Sequence, residues 1–100
     1  MHNQFYLKVA SREGVLFEGD VTAISSFNEK GKFDVLASHA NFISLIKQGL
    51  IIREVGDINS KNPKNQIIKE IKFGTALLRV KENKVEVYIG VETMSREMII

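Results

Sequence analysis

Leu78-Arg79-Val80-Lys81-Glu82-Asn83-Lys84-Val85-Glu86-Val87-Tyr88-Ile89-Gly90-Val91 is the stretch that decides the fold. Leu78 and Val80 are two apart, and so are Val85, Val87, Ile89 and Val91. A repeat of two is the period of a strand with one buried face. Between the two runs, Lys81-Glu82-Asn83-Lys84 is short and polar, and Asn tolerates a left-handed backbone. The stretch therefore reads as a β-hairpin.

The same alternation recurs toward the N-terminus. Phe5, Leu7 and Val9 share one strand face, and Val15 and Phe17 another, with Glu18 turned away. Ile67, Ile71 and Phe73 share parity against Glu70 and Lys72. Turn signals separate these runs: Arg12-Glu13-Gly14, Asn28-Glu29-Lys30-Gly31, and Lys47-Gln48-Gly49, which closes the run Ile43 to Ile46. Val21 and Ile24 differ in parity, so a bulge or twist is expected near Thr22-Ala23. Short strands at this spacing predict an all-β fold, two packed antiparallel sheets forming a small sandwich. No strand alternates with a long helical pattern, so a parallel sheet is not expected.

Gly56 to Asn65 holds the only proline, Pro63, and reads as a mobile hairpin tip. Met94 and Met98 are four apart, which suits one face of a short helical turn. The expected organisation is a sandwich over 1–91 and a short tail over 92–100.

A chain of 100 residues, 44 % apolar and 26 % charged, fits one small domain with one core. It has no Cys, so no disulfide or thiolate zinc site can form. No apolar run exceeds three residues, as at Leu50 to Ile52, which excludes a spanning helix. Met1 to Lys8 lacks the form of a signal peptide. A net charge of +2 does not point to nucleic acid. Lys61, Lys64, Lys69 and Lys72 have no aromatic among them and read as a solvated strand face.

Catalytic and cofactor motifs are missing. Gly31-Lys32 has Ser26 and Phe33 where a phosphate loop needs Gly and Ser or Thr. His2 and His39 are the only histidines, too few for a three-His metal site. Asp34, Ser38 and His39 could be drawn as a triad, but near neighbours in sequence rarely converge as one requires. No cofactor and no metal are expected. His39 reads either as a loop histidine bonded to nearby backbone or as a partner contact.

Phe17-Glu18-Gly19-Asp20-Val21, then Gly31-Lys32-Phe33-Asp34-Val35-Leu36-Ala37-Ser38-His39-Ala40-Asn41-Phe42, then Leu45-Ile46-Lys47-Gln48-Gly49 follow one another in order. Gly74-Thr75-Ala76-Leu77-Leu78-Arg79-Val80 and Val85-Glu86-Val87 come after them. This ordered set resembles the N-terminal sandwich domain of the epsilon subunit of F-type ATP synthases, over about nine-tenths of the chain. That pattern has Gly where Asp34 stands, Pro-Gly where Ala37-Ser38 stands, and Pro at Asn41 and Gln48. Thr75 replaces the second Gly of a Gly-Gly turn. Lost glycines and prolines imply reshaped turns.

The resemblance implies a non-catalytic central-stalk subunit bound to the gamma subunit and to the membrane rotor ring. Such a subunit couples proton flow to ATP synthesis, with no nucleic acid partner and no transmembrane insertion. Its place would be peripheral, on the cytoplasmic face of the cell membrane or the equivalent organelle side. The interface implied is the turn Glu29, Lys30, Gly31 and Lys32 with the loop Ser38, His39, Ala40, Asn41 and Phe42. Phe42 could equally plug the end of the core. Glu92 to Ile100 could extend only ~14 Å as helix, too short for the family's inhibitory C-terminal hairpin. The alternative reading is a free-standing sandwich module that kept the fold and serves another partner.

Overall fold

The computed structural model describes residues 3–55 and 65–90, and within them every regular element is a strand. β1 is Phe5–Ser11, β2 Gly14–Val21, β3 Ala23–Asn28 and β4 Gly31–Leu36. β5 is Phe42–Val55, β6 Asn65–Ile71, β7 Thr75–Lys81 and β8 Lys84–Ile89. The ladder order is β2-β1-β8-β7-β5-β3-β4, with β6 also on β5. This is the expected sandwich, and its two halves share β5. The first half of β5 pairs with β7, from Phe42↔Val80 to Lys47↔Thr75. The second half pairs with β6, from Leu50↔Ile71 to Val55↔Asn65, while β3 lies along the other edge.

Lys47-Gln48-Gly49 was expected to end a strand, but β5 runs through it for 14 residues. Gln48 and Gly49 take φ of 72° and 131°, which bends the strand without stopping it. The Gln48 amide donates to the Gly74 carbonyl at 3.2 Å, and Ser26 Oγ donates to the Gly49 carbonyl at 2.7 Å. Those bonds satisfy backbone groups that the bend takes out of the ladder. They also account for a buried serine.

All ladders but one are antiparallel. β1 runs parallel to β8, with Leu7 beside Val85 and Val9 beside Val87. The expectation that excluded parallel pairing thus fails at one place. Local pattern says nothing about which distant strand will fill an open edge.

Both halves bury onto one core. Phe5, Leu7, Val9, Leu78, Val80, Val85 and Val87 enter from one side, and Ile24, Val35, Leu50 and Ile52 from the other. The alternation read in β1, β7 and β8 is therefore the core face. Thr22 is the one residue between β2 and β3, and Val21 and Ile24 are both buried. The predicted break lies there, and Thr22 Oγ1 caps it by donating to the Arg53 carbonyl at 3.1 Å. Edge strands depart from the reading. Val15 and Ile67 were assigned to shared apolar faces, but they are 53 % and 55 % exposed. β2 slips register beside Val9, and β6 slips beside Ile52, so parity changes along each. The Gly56–Asn65 tip (apart from Asn65, which starts β6), Val91, the boundary at 91 and the Met94–Met98 turn lie outside the described residues.

Candidate functional site

Asn28 ends β3, and its Oδ1 accepts the Lys30 amide at 2.9 Å, which shapes the Glu29–Lys30 turn. Asn28 Nδ2 also donates to Ser44 Oγ on β5 at 3.4 Å. The turn is thereby held beside the start of β5. Glu29, Lys30, Gly31 and Lys32 are all exposed there.

The loop after β4 is tied down at several points. The His39 amide donates to the Leu36 carbonyl at 3.3 Å, and the Ser38 amide to Asn83 Oδ1 at 2.7 Å. The Glu82 amide donates to Asn41 Oδ1 at 2.8 Å. Asn83 Nδ2 reaches the Gln4 carbonyl at 2.8 Å, and the Tyr6 amide reaches the Asn83 carbonyl at 3.2 Å. Glu82 and Asn83 have φ of 49° and 65°, the mirror-image turn that matches strand twist. The loop, the β7–β8 turn and the start of β1 thus form one joined end of the sandwich.

Within this end, Ser38, His39, Ala40 and Asn41 are exposed, and Phe42 is half-buried. The Phe42 ring meets Phe33 edge-on at 5.9 Å and lies 5.0 Å from the His39 ring. Phe42 also packs against the core, so it plugs the end of the sandwich and supports the loop together. His39 Nδ1 lies 2.8 Å from the Ala40 carbonyl, the local backbone contact expected of a loop histidine. Asp34 belongs elsewhere. Its Oδ1 accepts from Ser25 Oγ at 2.5 Å and pairs with Arg53 at 3.4 Å. Asp34, Ser38 and His39 therefore form no catalytic array.

The sequence reading missed the surface next to this end. Ile43 and Leu45 project from β5 and are 67 % and 61 % exposed. Ile43 lies opposite Arg79, and Leu45 opposite Leu77. A groove of about 500 Å³ runs along Asn41, Ile43, Arg79 and Lys81. A second, of about 460 Å³, lies between Asn28–Lys30 and Phe42–Leu45. Both parities of Phe42 to Ile46 are apolar or small, so alternation alone could not say which face was bare.

Arg79, Glu86, Tyr88, Tyr6 and Glu18 are paired across the same sheet. Arg79 and Glu86 approach to 3.6 Å, and the Tyr88 hydroxyl donates to Glu86 at 2.6 Å, which raises the Tyr88 pKa. The Tyr6 hydroxyl donates to Glu18, and that bond, with burial and the nearby carboxylates, pushes its pKa up to about 12. Among the described residues no cluster of three His, Cys, Asp or Glu could hold a metal ion, and no helix is long and apolar enough to cross a membrane. The arrangement is suited to docking.

Comparison with known proteins places the fold in a family. The family model "ATP synthase, Delta/Epsilon chain, beta-sandwich domain" matches residues 4–91. An ATP synthase epsilon chain of Campylobacter curvus is 36 % identical over 83 residues, covering 83 % of this chain and 58 % of the relative. One from a Nitratiruptor species is 41 % identical over 51 residues, covering 51 % and 40 %. The chain thus spans about half the length of these curated relatives. A chain in the Euglena gracilis mitochondrial ATP synthase structure superposes with a TM-score of 0.69 at 16 % identity, covering 89 % of this chain and 52 % of that one. One in the Tetrahymena thermophila central stalk and ring structure gives 0.62 at 8 %, covering 84 % and 61 %. These likenesses show the fold. With the family model spanning the tied loop, the bent β5 and the closing hairpin alike, the chain belongs to the β-sandwich domain family of ATP synthase delta and epsilon chains.

Proposed function

We propose that this chain is a central-stalk subunit of a proton-translocating F-type ATP synthase, joining the gamma subunit to the membrane ring. The chain itself is non-catalytic. It serves as a rigid coupling between the ring and the catalytic head, so that ion flow drives ATP synthesis. In this reading it sits peripherally on the cytoplasmic face of the membrane, or the equivalent face in an organelle. Glu29 to Lys32 and Ser38 to Phe42 form its docking end.

The observation that carries the reading is the joining of this end. Loop 38–41, the Glu82–Asn83 turn and the Gln4 carbonyl are locked together by hydrogen bonds of 2.7–2.8 Å. A transmitting part needs contacts that do not yield under load, and packed sandwich faces with tethered loops provide that. The bare Ile43 and Leu45 beside it supply apolar anchors of the kind a stable interface uses.

Affinity purification of the tagged chain from its native membranes, with mass spectrometry of what stays bound, tests this. Recovery of a gamma subunit with a ring proteolipid is the expected result. An intact preparation that yields neither would overturn it and leave a sandwich module with another partner.

A further inference from the structure

Ile43 and Leu45 are the two barest large apolar side chains among the described residues. Alternation along β5 puts Lys47 on their face. The ladder then sets Lys47 opposite Phe27, and Phe27 opposite Lys32. Neighbouring strands are about 4.8 Å apart, so both lysines stand within two strand widths of the ridge end. Lys30 lines the groove on the near side of the ridge. On its other side stand Arg79 and Lys81. Arg79 spends its charge on Glu86. Lys30, Lys32 and Lys47 are all exposed, and among the described residues none of them is in an ion pair. Glu29 is the one acid among the turn residues Glu29 to Lys32.

We infer that this surface takes a protein segment with apolar side chains over the two grooves and acidic side chains along its Lys30–Lys32–Lys47 margin. The grooves on either side of Ile43 give the segment a track. The unpaired lysines give it polarity, since an incoming carboxylate gains an attraction and displaces no existing pair. This inference rests on the stalk reading, in which the gamma subunit carries the segment. It adds the chemistry which that subunit must present.

The test uses the full chain and its own F1 core containing the gamma subunit, with binding measured against salt concentration. Lys32→Glu/Lys47→Glu, Lys32→Gln/Lys47→Gln and Ile43→Ser are compared with the original chain. Vesicles of phosphatidylglycerol serve as a second probe. All positions are exposed, and a matching melting curve is required of each variant. The expected result is about tenfold weaker F1 binding on charge reversal, a smaller loss on neutralisation, and about tenfold loss for Ile43→Ser. Native affinity should also fall as salt rises. Tight binding that charge reversal leaves unchanged would overturn the acidic-segment inference and leave the stalk reading standing. Reversal that abolishes vesicle binding but spares F1 binding would overturn it in favour of a lipid surface. An original chain that fails to bind F1 at all removes the stalk reading and this inference together.

Discussion

The Ser38 amide donates to the Asn83 side chain at 2.7 Å, across 45 positions of sequence. Ser38 itself has φ of 63°, the left-handed conformation that the resemblance assigns to glycine. The serine keeps the turn, and Asn83 holds it in place.

Asn83→Gly leaves the turn conformation accessible and deletes both side-chain bonds, to Ser38 and to Gln4. Stability should fall by about 1–2 kcal/mol in urea unfolding. Amide exchange at Ser38 should accelerate. A protected Ser38 amide in that variant would show that the tether does not order the loop.

Gly49→Ala should be far costlier. A Cβ there would lie 2.7 Å from the Ile71 carbonyl oxygen, at a φ of 131°. Neither backbone can move without opening the β5–β6 ladder. A loss of about 3 kcal/mol or more is expected, read by thermal melting. An unchanged melting temperature would refute the bend.

Gln48 gives a pair of opposite effects. Its φ of 72° suits glycine and is closed to proline, and its amide donates to Gly74. Gln48→Gly should stabilise by roughly 1 kcal/mol, and Gln48→Pro should destabilise by about 3 kcal/mol. Restoring the proline of the resembling pattern would thus harm this chain. Stability from chemical denaturation decides the sign of each.

Val87→Ala removes two methyl groups from a fully buried position of β8. A cost of about 2 kcal/mol is expected. Val15→Ala, on an exposed edge, should cost under about 0.5 kcal/mol by the same measurement. Similar losses at both positions would contradict the placement of the core.

Alkaline pH should weaken the fold. The Tyr6 pKa is raised in the folded chain from 10.0 to about 12, and that of Tyr88 is raised too. The fold therefore favours the protonated phenols. Their contribution is complete below pH 10 and is lost as pH rises through the folded values. In Tyr6→Phe the decline in stability above pH 10 should be shallower. Ultraviolet titration of the folded chain gives the pKa directly.

The hairpin from Leu78 to Ile89 was legible because its signals are local: a period of two, interrupted by an Asn-containing turn. Thr22 was legible from a parity conflict between Val21 and Ile24. The β1–β8 pairing was not, because nothing near Leu7 specifies Val85. Gly49 misled because glycine serves a bend within a strand as readily as a chain reversal. From the sequence, the Glu29–Lys32 turn and the Ser38–Phe42 loop are proposed as the docking end through resemblance alone. The tether at Asn83 joins two loops far apart in the chain. The bareness of Ile43 follows from where β7 lies, which no local pattern reports.

The parallel pairing of β1 with β8 bears on how the chain is made. β1 and β2 leave the ribosome first and can form their hairpin at once. The other edge of β1 stays open until β8 has emerged, several seconds later at about 5–20 residues per second. During that wait Leu7 and Val9 lack Val85 and Val87 beside them. The nascent chain is then most exposed to mispairing with its neighbours, and synthesis of β8 ends that interval.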